Sequence, residues 1–466
     1  MTQENAAPDS GGAPLQDLVS AVSRGAPEYR ACPHPVYAAL REQAPVCLLT
    51  PPHGVDTYLI TRYEDARDAL SDPRFSKDMR GAIDTYHAVY GSFFDALDDN
   101  VLFSDPPRHT RLRRALRSGF TPRRVEEMRP KITAIAESLL GACRKSDTVD
   151  LMSSFAFPLP IAVLCDLMGI PEGDRPELLG HFAVVTRARF DPRMREELQA
   201  AEEWLRDRLA QLIAYTRAHP SDSFLSDLIQ ADEALDDAEL TSSLWVLFFA
   251  GHKTTAFQIG NSVLDLLLHP DQLEKLRKDP LLIPQAVEEI VRFEGSVETS
   301  TFRYAKEDAE IRGTVIPKGS LVQIAISSAN RDPEKFDSPD VLDVTREGLQ
   351  GTHLGFGHGT HYCLGAPLAR LELEIALSCL LREFPEMEPA NTEDGKKGAW
   401  LTGPVAAFRG LQELRLVLEP SRPAMSPAPG SVPAMTSSVA AVVTVTSATS
   451  PTSTTSVNAG DRPTTN

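Results

Sequence analysis

Cys363 is the residue whose setting most invites chemistry. It lies in a glycine-rich run, HLGFGHGTHYCLGAPLARLELE, that starts at His353. Gly355, Gly357 and Gly359 permit tight turns and a close backbone approach that side chains would block. Pro367 suits the first turn of a helix predicted over 366–383. A cysteine just ahead of a helix meets the positive end of its dipole and its free N–H groups, both of which favour the thiolate. A thiolate is a soft metal ligand, of the kind iron accepts. An isolated cysteine is more often a small buried hydrophobe, and both readings stand on the thiol alone.

Other residues pair by helical spacing. Glu289 and Arg292 lie three apart in AVEEIVRF, which in isolation is an exposed ion pair worth little. His109 and Arg113 lie four apart in SDPPRHTRLRR, where Ser104 or Asp105 is the expected cap and the prolines suit a first turn. A solvated basic face would explain that pair equally. Residues 240–268, LTSSLWVLFFAGHKTTAFQIGNSVLDLLL, read as a helix of roughly 40 Å at about 1.5 Å per residue, apolar on nearly all sides and so bound for the core. Gly251, Thr254 and Thr255 sit in its middle and are poor helix formers. The threonines can simply bond back to carbonyls one turn earlier.

Taken together, these residues resemble the cytochrome P-450 family. Phe356, Gly359, His361, Cys363 and Gly365 match its heme-ligand signature, F-x-x-G-x-[RH]-x-C-x-G, at every fixed position, and the resemblance spans nearly all of residues 30–419. It implies heme b (iron protoporphyrin IX) with Cys363 as the axial ligand to the iron, Phe356 shielding the sulfur and His361 reaching a propionate. A thiolate ligand pushes electron density towards O–O cleavage. The resemblance also implies that His109, Arg113 and Arg303 bind propionates. Two carboxylates in a partly dry pocket need such charge-assisted partners. Glu289 and Arg292 become a buried structural pair tied to the loop at 330–333. Ala250 and Gly251 would open a groove for dioxygen beside Thr254, which would hydrogen-bond the oxygen under activation. The implied activity is heme-thiolate monooxygenation, inserting one oxygen atom from dioxygen into a small lipophilic substrate by hydroxylation or epoxidation. The chain most resembles bacterial soluble members that tailor polyketides, macrolides, antibiotics and other secondary metabolites. Family position puts Tyr86, Tyr90, Phe93, Phe94, the 180–190 segment, Val297, Thr299 and residues 405–407 around the substrate, a mostly apolar lining.

The motif departs at Lys253, where the family generally has Asp or Glu. That acid is thought to relay protons, and a lysine cannot be a carboxylate relay. Either water and Thr254 suffice for ordinary monooxygenation, or the enzyme runs chemistry with other proton needs, such as oxidative coupling or a peroxide-supported reaction. A non-catalytic heme sensor is the rival from another class; it would need neither Thr254 nor a roomy pocket.

Positioning such a site takes a large core. The chain has 466 residues, of which 42% are hydrophobic and 24% charged, a globular composition. The net charge of −18 argues against nucleic acid as a partner. No signal peptide and no membrane span are indicated, and six scattered cysteines without C-x-x-C spacing fit a reducing cytoplasm. Against the acidic background, Arg108, Arg111, Arg114, Arg117, Arg123 and Arg124 form a basic cluster suited to docking an acidic electron carrier. In the bacterial soluble class that carrier is a ferredoxin, reduced from NAD(P)H by a separate ferredoxin reductase. No flavin or nicotinamide motif is present, so electrons are expected from outside.

Composition divides the chain into a flexible lead-in at 1–27, one heme domain at 28–419 and a disordered Ser/Thr/Pro/Ala-rich tail at 420–466. Helices are predicted over 105–118, 123–145, 194–218, 238–268, 271–278, 284–293 and 366–383, with strands near 58–61, 310–316, 321–326 and 414–418. The predicted fold is mainly α with small β-sheets, a single large domain with heme buried between the long central helix and the cysteine helix.

Overall fold

The computed structural model describes residues 13–51, 54–85, 99–188, 192–231, 235–390, 399–402 and 407–419. Tyr86, Tyr90, Phe93, Phe94, residues 189–190 and 405–406 and the 420–466 tail therefore lie outside the described residues.

The architecture is helical, built around Asp237–Leu268. A capping box starts this helix. The Asp236 carboxylate accepts the Glu239 N–H at 2.8 Å, and Glu239 accepts the Asp236 N–H at 3.3 Å. Its 32 residues span about 48 Å. Leu244, Trp245, Phe248, Phe257, Ile259 and Val263 point to different sides and are all buried. Each such side chain contributes about 1.5–3 kcal/mol by leaving water. Helices Pro158–Met168, Arg195–Ala218 and Ala366–Glu383 pack against it. Phe182 of Arg175–Ala188 stacks on Trp245 with ring centroids 5.4 Å apart.

A five-stranded sheet flanks the helices in the order Val46–Leu49, Thr57–Ile60, Leu321–Ile324, Arg303–Ala305, Phe75–Ser76. Thr57–Ile60 pairs parallel with Leu321–Ile324, Thr57 opposite Leu321, and the other neighbours are antiparallel. The sheet thereby carries Arg303 from one side and the chain entering Lys77 from the other. Three smaller sheets lie among the described residues. Among the described residues, no helix is long and apolar enough to cross a membrane.

Each predicted helix and strand has its counterpart, with two splits; the 310–316 strand is a tight hairpin of Ala309–Ile311 and Thr314–Ile316, turned at Arg312 and Gly313 by positive φ. The 123–145 pattern breaks at Met128 into Pro122–Glu127 and Arg129–Cys143. Pro130 supplies no N–H to an earlier carbonyl, so the chain restarts there as a first turn. The 1–27 lead-in is too long. Leu15–Arg24 is an amphipathic helix whose Leu18 joins a cluster with Tyr29, Tyr37, Leu40 and Leu59. Neither Ser104 nor Asp105 caps the helix Arg108–Arg117, whose N-cap is Pro107. Two prolines leave fewer orphan donors to cap. The Asp105 carboxylate instead accepts bonds from the Ser76 hydroxyl and the Lys77 N–H.

Candidate active site

Cys363 sits at the mouth of the helix Ala366–Glu383, with Pro367 in the first turn as the sequence led us to expect. Its backbone N–H donates to the Phe356 carbonyl at 2.8 Å, which closes the loop. Gly359 makes that closure possible: its φ is +70°, and a Cβ there would meet the Ser71 hydroxyl at 2.5 Å. The thiol is accessible to solvent although protein surrounds it. Burial pushes it up, while the N–H groups of Gly365 and Ala366 and the charges of Arg113 and Arg370 pull it down. Burial wins. The helix end contributes as expected but does not by itself yield a thiolate; a bound cation must complete that shift.

The middle of the central helix behaves in a matching way. Residues 249–254 are partly or fully accessible, whereas 239–246 and 255–266 are buried. The accessible stretch lies between two buried ones. Ala250 is exposed there, and the Thr254 hydroxyl donates to the Ala250 carbonyl at 2.7 Å, the back-bond that mid-helix threonines commonly make. Gly251 corrects an expectation: a Cβ on it would meet Leu164 at 3.3 Å, so the missing side chain admits a neighbouring helix rather than opening a groove. The Lys253 ammonium lies 5.2 Å from the centroid of the Phe257 ring, and burial lowers it to about 8. Thr299 is likewise corrected as a lining residue: it is 4% exposed, and its hydroxyl accepts from Gln323 at 3.1 Å. Val297 remains partly accessible.

On the cysteine side the structure gathers two imidazoles and two guanidinium groups. The His109 and His361 rings lie 4.2 Å apart, and both nitrogens of buried His109 lack a hydrogen-bond partner among the described residues. Arg113 donates to the Tyr362 carbonyl at 2.7 Å. Arg303 is 3% exposed, and burial pulls its guanidinium down to about 10. His361 is driven down to about 2 by burial and then by Lys77, His109, Arg303 and Arg113. Orphaned imidazole nitrogens beside buried guanidinium groups are costly unless an anion joins them. A porphyrin bearing two carboxylates, with iron set on the thiol, fits this donor set. Sequence reasoning missed Lys77, which nothing in RFSKD marks out.

Glu289 and Arg292 are 0% exposed and doubly bonded at 2.7 and 2.8 Å. Arg292 also donates to the carbonyls of Asn330 and Pro339, and Glu289 accepts from the Asp343 N–H and Arg346. The adjacent Glu288 was missed, though the doubled glutamate in AVEEIVRF was a signal. It accepts from His353 at 3.0 Å and from Arg370, whose guanidinium lies 4.3 Å from the Phe356 ring centroid. Burial alone would raise Glu288, but the bonds from His353 and Arg370 hold it at about 2. A depressed carboxylate stabilises the fold above its ordinary value of 4.5, and that contribution fades as pH falls from there to about 2. Glu288→Gln should therefore cost about 2–3 kcal/mol at pH 7, with the deficit shrinking on acidification. Urea midpoints of both proteins at pH 7 and pH 3.5 check this; a constant gap would refute it.

The basic cluster is weaker than its sequence suggests. Arg108 pairs with Asp99, Arg111 with Glu239, Arg123 with Glu127 and Arg124 with Asp227. Arg114 and Arg117 are exposed on the same helix.

A family model described as Cytochrome P450 matches residues 174–399. Cytochrome P450 107B1 of Saccharopolyspora erythraea is 41% identical over 393 residues, 82% of this chain and 94% of that one. The 6-deoxyerythronolide B hydroxylase of the same organism is 41% identical over 364 residues, 75% of this chain and 88% of its own. The solved cytochrome P450 PksS of the Bacillus subtilis bacillaene polyketide synthase superposes with a TM-score of 0.77 at 37% identity, covering 84% of this chain and 98% of that one.

Proposed function

The chain belongs to the cytochrome P450 family, and from that premise we propose that it oxygenates a lipophilic secondary metabolite at a site built around Cys363. It is a cytochrome P450 monooxygenase, and its cofactor is heme b. When bound through a thiolate, heme supplies the reductive cleavage of dioxygen. The observation that carries the site assignment is one juxtaposition: an accessible thiol at a helix N-terminus, backed by the buried Arg303 guanidinium and by the His109 ring, whose nitrogens have no hydrogen-bond partner among the described residues.

The residues take the following parts. Cys363 would ligate the heme iron, on a loop that its N–H closes onto the Phe356 carbonyl, with the Phe356 ring held under Arg370. Gly365 donates its N–H to that sulfur, which tempers the electron density there. His109, Arg113, Arg303 and His361 would hold the propionates. Glu289 and Arg292 keep the loop at 330–343 in place and touch no reacting atom. Thr254 can release its bond to the Ala250 carbonyl and turn its hydroxyl towards oxygen, one rotamer step within the accessible stretch. The heme domain takes in the helix Leu15–Arg24, whose Leu18 packs with Tyr29 and Tyr37, and runs on to Glu419.

The relatives' names support a polyketide or macrolide as substrate, and the apolar helices around the accessible stretch suit one. Electrons come from a ferredoxin and its NAD(P)H-dependent reductase, docking by the exposed Arg114 and Arg117 on the cysteine side. Six free thiols accord with a cytoplasmic setting. The test is direct. Purified protein should show the red-shifted band of a thiolate-bound reduced carbon-monoxide adduct. A macrolide panel should then include members that shift the heme spectrum and are oxygenated with ferredoxin and reductase. Porphyrin-free protein, or binding without turnover on every member, would overturn the proposal.

Lys253 favours a second reading, in which proton delivery differs from the family's habit. Lys253→Glu should raise the ratio of product formed to reductant consumed, about twofold or more if one proton-transfer step limits coupling. Coupling that stays level or falls would assign delivery to the lysine itself, whose ammonium at about 8 can release a proton near neutrality.

A further inference from the structure

Lys77 belongs to none of the motifs above, yet it is 1% exposed. Lysines are almost never buried so fully without an anion. Its Nζ donates to the Thr301 hydroxyl and to the Phe302 carbonyl at 3.1 Å, and it lies 5.1 Å from the centroid of the Phe103 ring. Both acceptors are neutral, and an ammonium has three N–H groups to place. Among the described residues no carboxylate pairs with it. Asp105, the acid whose charge reaches it, is engaged by the Ser76 hydroxyl, the Lys77 backbone N–H and Lys306.

The location is specific. Thr301 and Phe302 immediately precede Arg303. Asp105, which fixes the Lys77 backbone, also accepts the His109 N–H on its own carbonyl at 2.9 Å. Lys77 is thus fastened to the two segments that present Arg303 and His109. Its ammonium also lies within electrostatic reach of the His361 ring. Five cationic or potentially cationic side chains converge here, and among the described residues no carboxylate forms an ion pair with Lys77 or Arg303.

We propose that Lys77 is a fifth partner of the heme propionates, its ammonium completing the set formed by His109, Arg113, Arg303 and His361. The proposal rests on the heme-site reading given above. Thr301 and Phe302 aim the ammonium, and Phe103 keeps water from it. The competing account is a neutral lysine that merely ties Phe75–Ser76 to the strand of Arg303.

Heme transfer from full-length holoprotein to excess apomyoglobin separates the two. Lys77→Met should lose ordinary heme roughly tenfold faster than wild type, the scale of one charge-assisted hydrogen bond, whereas Lys77→Arg should stay within about threefold. The decisive arm uses protein reconstituted with heme dimethyl ester, which has no propionate charge. There wild type and Lys77→Met should release the ligand at equal rates, because the coupling has lost one partner. Equal rates with ordinary heme, or a tenfold gap that persists with the ester, would overturn the proposal. Should Lys77→Met fail to accumulate, Lys77→Gln keeps donors for Thr301 and Phe302 without the charge and carries the same comparison. Wild type with a normal thiolate spectrum alongside a negative result would sink the Lys77 assignment alone and leave the heme site standing.

Discussion

Cys363→Ser protein is expected to fold, to lack the red-shifted band in its reduced carbon-monoxide form and to lose turnover by more than about a hundredfold. The loop around residue 363 is held by its own backbone, notably the bond from the residue 363 N–H to the Phe356 carbonyl and the turn at Gly359. A serine oxygen can still accept the N–H groups of Gly365 and Ala366, so little packing is lost. What disappears is the sulfur's capacity to ligate as an anion and to push electron density across the iron. Loss of an outer-shell partner already costs about 10–100-fold in metal sites, and loss of the ligand itself should exceed that. Absorption spectra and substrate oxygenation, measured on the same preparation, check both halves. A retained thiolate band would remove Cys363 from the iron.

Glu289→Ala should destabilise the chain by about 3–5 kcal/mol, out of a total of roughly 5–15 kcal/mol for a typical domain. The mutation strands Arg292, which is 0% exposed and keeps neutral carbonyls from Asn330, Pro339 and Val341. It also strands Arg346 and frees the Asp343 N–H. The surface pair Glu274–Lys278, four apart on an exposed helix face, is the control. Glu274→Ala should change stability by less than about 1 kcal/mol. Yield of heme-loaded protein and the urea midpoint report the contrast. Parity between the two variants would mean the buried pair is dispensable.

What the sequence could and could not convey follows from range. Asp237–Leu268 was readable because its own apolar pattern and its cap lie within one stretch. The cysteine loop was readable because glycine, proline and thiol stand at short fixed spacings. Leu15–Arg24 was hidden: its stripe is short, and only Tyr29, Tyr37 and Leu59 give it a surface to cover. Gly251 misled for a similar reason, since nothing in AGHKTT tells which neighbour the missing side chain admits; Leu164 decides it from another helix. Lys77 and Glu288 owe their meaning to residues more than 60 positions away, Thr301 and His353 among them. The arginine cluster was overread because its counter-ions, such as Glu239 and Asp227, come from elsewhere in the chain.

The parallel pairing of Thr57–Ile60 with Leu321–Ile324 has a consequence for synthesis. The hairpin of Val46–Leu49 and Thr57–Ile60 leaves the ribosome about 260 residues before its parallel neighbour exists. At about 5–20 residues per second, that edge waits on the order of 10–50 s with its amides unpaired. Non-local closure of this kind folds slowly and invites association between nascent chains. Expression at lower temperature, or with more chaperone, should therefore raise the recovered fraction in cells.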